Sequence, residues 1–133
     1  RRGRRQGLKM ARLYFALDLN DNPELIAEYE RWHQPDQIWP DVLETLRSSG
    51  IEEAEIFRTH NRLVLVLDVA PNFSLDEKAA ADAVNERVIA WETLMWKYQK
   101  ALPWARRGEK WIPMRRIFSL RESSDYALTK VPG

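Results

Sequence analysis

The sequence predicts an α+β fold in which helices cover one face of an antiparallel sheet. Three observations carry that prediction. Segments with the twofold apolar period of strands alternate with segments of helical period. The two clearest strand segments are closed by turn chemistry, Asn20-Asp21-Asn22-Pro23 after the first and Pro71-Asn72 after the second. Helical segments come as a pair after the first strand and as one long stretch after the third, which is the order β-α-β-β-α-β.

Residues 11–19, ARLYFALDL, read as the first strand, with Leu13, Phe15, Leu17 and Leu19 on one face and Tyr14, Ala16 and Asp18 on the other. Asn22 suits an N-cap and Pro23 a first helical position. Leu25, Tyr29 and Trp32 then form the apolar stripe of a helix that Pro35 stops. Asp36-Gln37 leads to a second helix opened by Pro40, with Trp39, Val42, Leu43 and Leu46 facing inward and Ser48-Ser49-Gly50 closing it. Residues 51–59 read as the second strand and His60-Asn61 as a hairpin turn. The near-continuous apolar run of residues 62–70, RLVLVLDVA, suits a central strand.

Residues 74–102 read as one long helix. Ser74 and Glu77 make a capping box, and Val84, Val88, Trp91, Met95, Tyr98 and Leu102 make one stripe. Trp96 points about 100° away from the centre of that stripe, so a second surface has to cover it. After Pro103 and a basic loop, residues 111–120 read as the last strand, with Pro113 marking an edge or a bulge. This is the ferredoxin-like plan. Its strands are apolar on both faces while helices cover one, so the sheet needs a partner; a homodimer joined sheet to sheet, a dimeric α/β barrel, is the simplest closure.

The chain has 133 residues, 44% hydrophobic and 31% charged, enough for one core without covalent staples. It has no cysteine, which excludes disulfides and thiolate metal sites and fits a cytoplasmic protein. No apolar run is long enough to span a membrane. The net charge of +1 hides an asymmetry: Arg1, Arg2, Arg4, Arg5 and Lys9 contribute five positive charges, leaving −4 from Met10 onward. Residues 1–10 therefore read as a disordered basic arm, with Met10 as the natural start, residues 11–120 as the folded domain and residues 121–133 as a polar tail. The folded part has no basic stripe, so nucleic acid is not an expected partner. No His, Asp and Glu spacing suits a metal.

The chemistry-bearing stretch is residues 28–40, EYERWHQPDQIWP. Tyr29 and His33, four apart, share one helix face at a helix end. By themselves they read first as a structural or surface pair and only second as a pocket wall. Set in order, Tyr29-x-x-x-His33, the following proline, Ile38-Trp39-Pro40 and Trp96-Lys97-Tyr98 resemble the L-rhamnose mutarotase family over about residues 11–120. The resemblance implies a ferredoxin-like dimer, free of metal and cofactor, that interconverts the α and β anomers of a sugar. It places His33 as the proton donor and Tyr29 beside the sugar. The family's paired tryptophans fall at Met95-Trp96, and a sugar-contacting tyrosine falls at about Ala54. Trp39 is read first as packing and second as a sugar contact. The departures at Met95 and Ala54, with the extra Asp36-Gln37, lie around the expected sugar and bring in L-fucose beside L-rhamnose as the substrate. The other reading of the same dimeric plan is a cofactor-free monooxygenase or a non-catalytic ligand-binding protein.

Overall fold

The computed structural model describes residues 11–130. The elements run β1 (Ala11–Leu19), α1 (Pro23–Trp32), α2 (Pro40–Ser48), β2 (Ile51–Thr59), β3 (Arg62–Val69), α3 (Leu75–Ala83), α4 (Glu86–Trp96), β4 (Gln99–Lys100), β5 (Ile112–Pro113) and α5 (Leu120–Lys130). The sheet order is β2-β3-β1-β4, with β5 also on β1 and every pairing antiparallel. This is the expected α+β plan. The basic arm read at residues 1–10 lies outside the described residues.

Local chemistry sets most of the boundaries. The Asn22 side chain accepts from the Leu25 N–H at 3.0 Å and Pro23 opens α1. The Ser74 hydroxyl accepts from the Glu77 N–H at 3.1 Å. Gly50 closes α2 with φ +98°, a left-handed conformation that glycine adopts without a Cβ clash. His60 makes the β2–β3 turn with φ +51°.

Three readings from sequence are corrected. The helix expected over residues 74–102 is two helices, because the Asn85 side chain accepts from the N–H groups of Arg87 and Val88 and starts α4 afresh. Val84, placed on the stripe, is instead 81% exposed at the end of α3. Helix α4 stops at Trp96 because the chain is drawn onto β1: the Asn20 amide donates to the Lys97 carbonyl at 3.2 Å, and Leu19 pairs with Gln99. The strand expected over residues 111–120 keeps only Ile112–Pro113, and the chain leaves the sheet after Met114, whose N–H still donates to the Tyr14 carbonyl at 2.8 Å. β4 and β5 are thus two short pieces on one edge of β1, separated by the loop 101–111. Residues 121–130, read as part of a polar tail, form α5 together with Leu120, read as the end of the last strand; the Ser119 hydroxyl starts the helix by accepting from the Glu122 N–H at 3.1 Å.

Alternation divides each strand between two environments. Leu13, Phe15, Leu17 and Leu19 of β1 pair with Leu67, Leu65, Leu63 and Asn61's neighbourhood on the side that carries the helices. The core there falls into two clusters, one around Leu19, Tyr29, Leu63, Trp91, Met95 and Tyr98, the other around Phe15, Ile51, Leu67 and Val69. The opposite face carries Tyr14, Val64, Val66 and Phe57 among ion pairs, Arg12 with Asp68 at 2.7 Å and Arg62 with Asp18 at 2.7 Å.

Candidate active site

A cavity of about 620 Å³ lies between the sheet and the helix layer, inside the range of roughly 300–1,000 Å³ typical of small-molecule sites. Its walls are largely apolar: Phe15, Ala54, Leu65 and Leu67 from the sheet, Val42 and Leu46 from α2, and Trp91 and Met95 from α4. The polar groups are few. Tyr29 and His33 line it, and they also line a second recess of about 430 Å³ formed with Glu30, Phe57 and Arg58.

His33 is the C-cap of α1, so its ring leaves the helix just where the backbone turns. Its Nδ1 lies 2.7 Å from the Tyr29 carbonyl oxygen. A carbonyl only accepts, so Nδ1 carries the proton and donates, and Nε2 keeps its lone pair. The ring packs on Tyr29, with centroids 4.4 Å apart, and edge-on to Trp91 at 5.5 Å. Burial pushes its pKa below the ordinary 6.5; the Tyr29 carbonyl opposes this by favouring the charged ring, but less strongly. At neutral pH the imidazole is therefore neutral, with an open basic nitrogen.

Tyr29 is buried, 3% exposed, and its phenol is pushed up to about 12, first by burial and then by the Glu92 carboxylate, with Gln99 opposing. It stays protonated. The Gln99 Nε2 donates to its oxygen across 3.4 Å, which leaves the phenolic O–H free to donate elsewhere. Among the described residues the buried Gln99 Oε1 has no hydrogen-bond partner, which costs about 1–3 kcal/mol unless a ligand or water supplies a donor.

Glu92 lies on the cavity wall next to the stripe residue Trp91. Its Oε1 takes a salt bridge from Lys110, at the end of the loop 101–111. Burial pushes the Lys110 ammonium below its ordinary pKa, and Glu92 opposes that shift. The same ammonium sits 4.6 Å from the centroid of the Trp96 ring. Lys78 and Asp82 of α3, also on the cavity wall, pair with each other at 2.5 Å. Among the described residues no three His, Asp or Glu side chains come close enough to hold a metal ion, and no helix is long and apolar enough to cross a membrane.

Of the residues singled out in the sequence, Tyr29, His33, Met95 and Ala54 share the cavity wall. Trp39 and Trp96 do not line it. Trp39 packs edge-on against Trp91 at 5.2 Å and lies under the Arg87 guanidinium at 4.2 Å. Trp96, last residue of α4, turns outward beneath Lys110; the second surface its position required is the loop 101–111. Sequence reasoning missed Glu92 and Gln99 and assigned Trp91 to packing alone. Gln99 carries a signal once α4 is known to stop at Trp96, since it is then a polar residue in a buried strand. Lys110 carries none.

Fold and site define an α+β protein with a neutral histidine and a buried tyrosine on the wall of a small-molecule cavity. Residues 12–120 match the family model described as L-rhamnose mutarotase, and the chain belongs to that family of carbohydrate isomerases. It is 49% identical over 116 residues to an L-fucose mutarotase of Xanthomonas campestris pv. campestris, covering 87% of this chain and 93% of that one. It is 30% identical over 113 residues to an L-rhamnose mutarotase of Acidiphilium cryptum, covering 84% and 99%. The crystal structure of an L-rhamnose mutarotase from Formosa agariphila superimposes with a TM-score of 0.60 at 26% identity, covering 83% of this chain and 98% of that one.

Proposed function

We propose that this chain interconverts the α and β anomers of a 6-deoxy-L-hexose, with L-fucose as the preferred sugar. The observation that carries the mechanism is the neutral His33 with Nδ1 tied to a carbonyl and Nε2 open. Nε2 takes the proton of the anomeric hydroxyl as the C1=O1 bond forms and the C1–O5 bond breaks. The imidazolium then gives that proton to O5, while the Tyr29 O–H hydrogen-bonds the charge developing there. Rotation about C1–C2 presents the other aldehyde face, and the reverse steps close the ring. Such general acid–base help is typically worth roughly 10²–10⁴-fold. The apolar walls suit the sugar's methyl group and C–H faces. The higher identity to a protein named for L-fucose than to one named for L-rhamnose supports the choice of sugar.

The uncovered sheet face fits a second copy of the chain. Exposed Tyr14, Phe57 and Met114 form an apolar centre, and Arg12, Asp68, Glu53 and Glu55 around it carry both signs of charge. The cysteine-free composition suits the cytoplasm. The function is tested by NMR saturation transfer between anomeric protons across L-fucose, L-rhamnose and their epimers. Enhanced exchange strongest for L-fucose is expected; no enhancement for any of these sugars contradicts the reading. Sedimentation tests the dimer, and a particle of 15.7 kDa contradicts it.

A further inference from the structure

Around Tyr29 the cavity has more open acceptors than donors. Among the described residues His33 Nε2 has no hydrogen-bond partner, the ring bonding through Nδ1, and Gln99 Oε1 has none either. Glu92 takes Lys110 on Oε1, and among the described residues no group donates to its Oε2. Against these three stand two donors, the Tyr29 O–H and the second N–H of the Gln99 amide. A ligand that complements this set must bring several O–H donors and no negative charge, which is the chemistry of a neutral sugar.

Glu92 is the strongest of these acceptors, because a hydrogen bond to a carboxylate is roughly twice as strong as one between neutral groups. Its side chain remains 47% exposed, so a ligand can reach it, while the 12% exposed Lys110 holds it in place from the loop 101–111. It follows Trp91 on α4, whose ring packs edge-on to His33 with centroids 5.5 Å apart, and it lines the same cavity as Tyr29 and His33. The other carboxylate on the wall, Asp82, also pairs with a lysine, Lys78, but it belongs to α3 and not to the helix whose Trp91 packs on His33.

We infer that Glu92 reads a hydroxyl of the sugar through its free oxygen and so determines which sugar is accepted, with Lys110 as the residue that positions it. The inference rests on the mutarotase reading and adds a specificity residue to it. L-fucose and L-rhamnose differ in configuration at C2 and C4, so a fixed acceptor beside the ring can tell them apart. Lys110 acts through Glu92 and need not touch the sugar.

The test measures anomer exchange by NMR for the unaltered chain, Glu92→Gln and Lys110→Met, on L-fucose and on its 2-, 3- and 4-deoxy analogues. For Glu92→Gln, KM on L-fucose is expected to rise about 10–100-fold with kcat nearly unchanged. On one deoxy analogue, the one lacking the hydroxyl that Glu92 reads, the substitution should cause no further loss. Lys110→Met, which keeps the carboxylate but frees it, is expected to raise KM by less. An unchanged KM in Glu92→Gln overturns the inference while leaving the mutarotase reading intact. So does an equal loss on every analogue that Lys110→Met reproduces, because that pattern belongs to the loop clamp alone. If the unaltered chain exchanges no sugar, the mutarotase reading fails first and takes this one with it.

Discussion

The two ends of the core, built from the same strands and helices, differ in how completely they are filled. At one end Leu17, Leu19, Leu63 and Tyr98 are fully buried, and Tyr98, between α4 and β4, is tied to α1 by accepting from the Trp32 indole at 2.9 Å and donating to Glu28 at 2.9 Å. At the other end Phe15, Ile51, Leu67 and Val69 are buried too, but between them and the helices the cavity stays open. Small Ala54 stands on its wall where a larger side chain would close it. Tyr29 and His33 sit where the filled end meets the empty one. On the proposed function the difference is a division of labour: the packed end holds α1 and α4 against the sheet, and the open end would receive the sugar beside Tyr29 and His33.

Substitutions at the two ends should therefore separate activity from stability. The largest effect is expected for His33→Ala, which removes the open nitrogen and should cut the anomer-exchange enhancement by roughly 10²–10⁴-fold. Its melting temperature should fall far less than that of a packed-end variant. Leu17→Ala shows the reverse pattern. Leu17 has 0% exposure and does not line the cavity, so the substitution should cost about 2–5 kcal/mol in urea unfolding, while the molecules that remain folded keep their kcat/KM. Ala54→Leu sharpens the contrast from the open side. Added bulk on the wall should raise KM about tenfold, with stability held or slightly improved by the new apolar contacts. If Ala54→Leu instead destabilised the fold as much as Leu17→Ala, the two ends would be packed alike and the comparison would fail.

Much of this layout was legible in the sequence because it is set by neighbours in the chain. Asn22-Pro23 and Ser74 with Glu77 mark helix starts through bonds spanning three residues. The alternation in β1 and β3 survives because a one-residue slip would turn every leucine outward. Tyr29 and His33 could be paired because four residues on a helix bring side chains together wherever the helix lies. What was not legible depends on distant partners. Asn85 can sit within a helix or cap a new one, and only the packing of α3 and α4 decides. Residues 111–120 have strand-like composition, yet β1 offers them an edge for two residues only. The start of α5 did have a local signal, Ser119 followed by Glu122, of the kind read correctly at Ser74. Glu92 and Gln99 join the site through Lys110 and through the pairing of β4 with β1, neither of which periodicity encodes.

The measurement that tests the central claim most directly is the pH dependence of kcat/KM for anomer exchange of L-fucose. A base must be neutral to act, and burial lowers the His33 pKa in the folded chain below 6.5. In the unfolded chain the same ring protonates more readily, so the fold should also lose stability as pH falls below about 6.5. The account predicts that kcat/KM rises through a single ionisation below pH 6.5 and stays level through neutral pH, and that this step is absent from the residual rate of His33→Ala. A rate that falls on passing from pH 6 to pH 8, or a step that persists without His33, would contradict it.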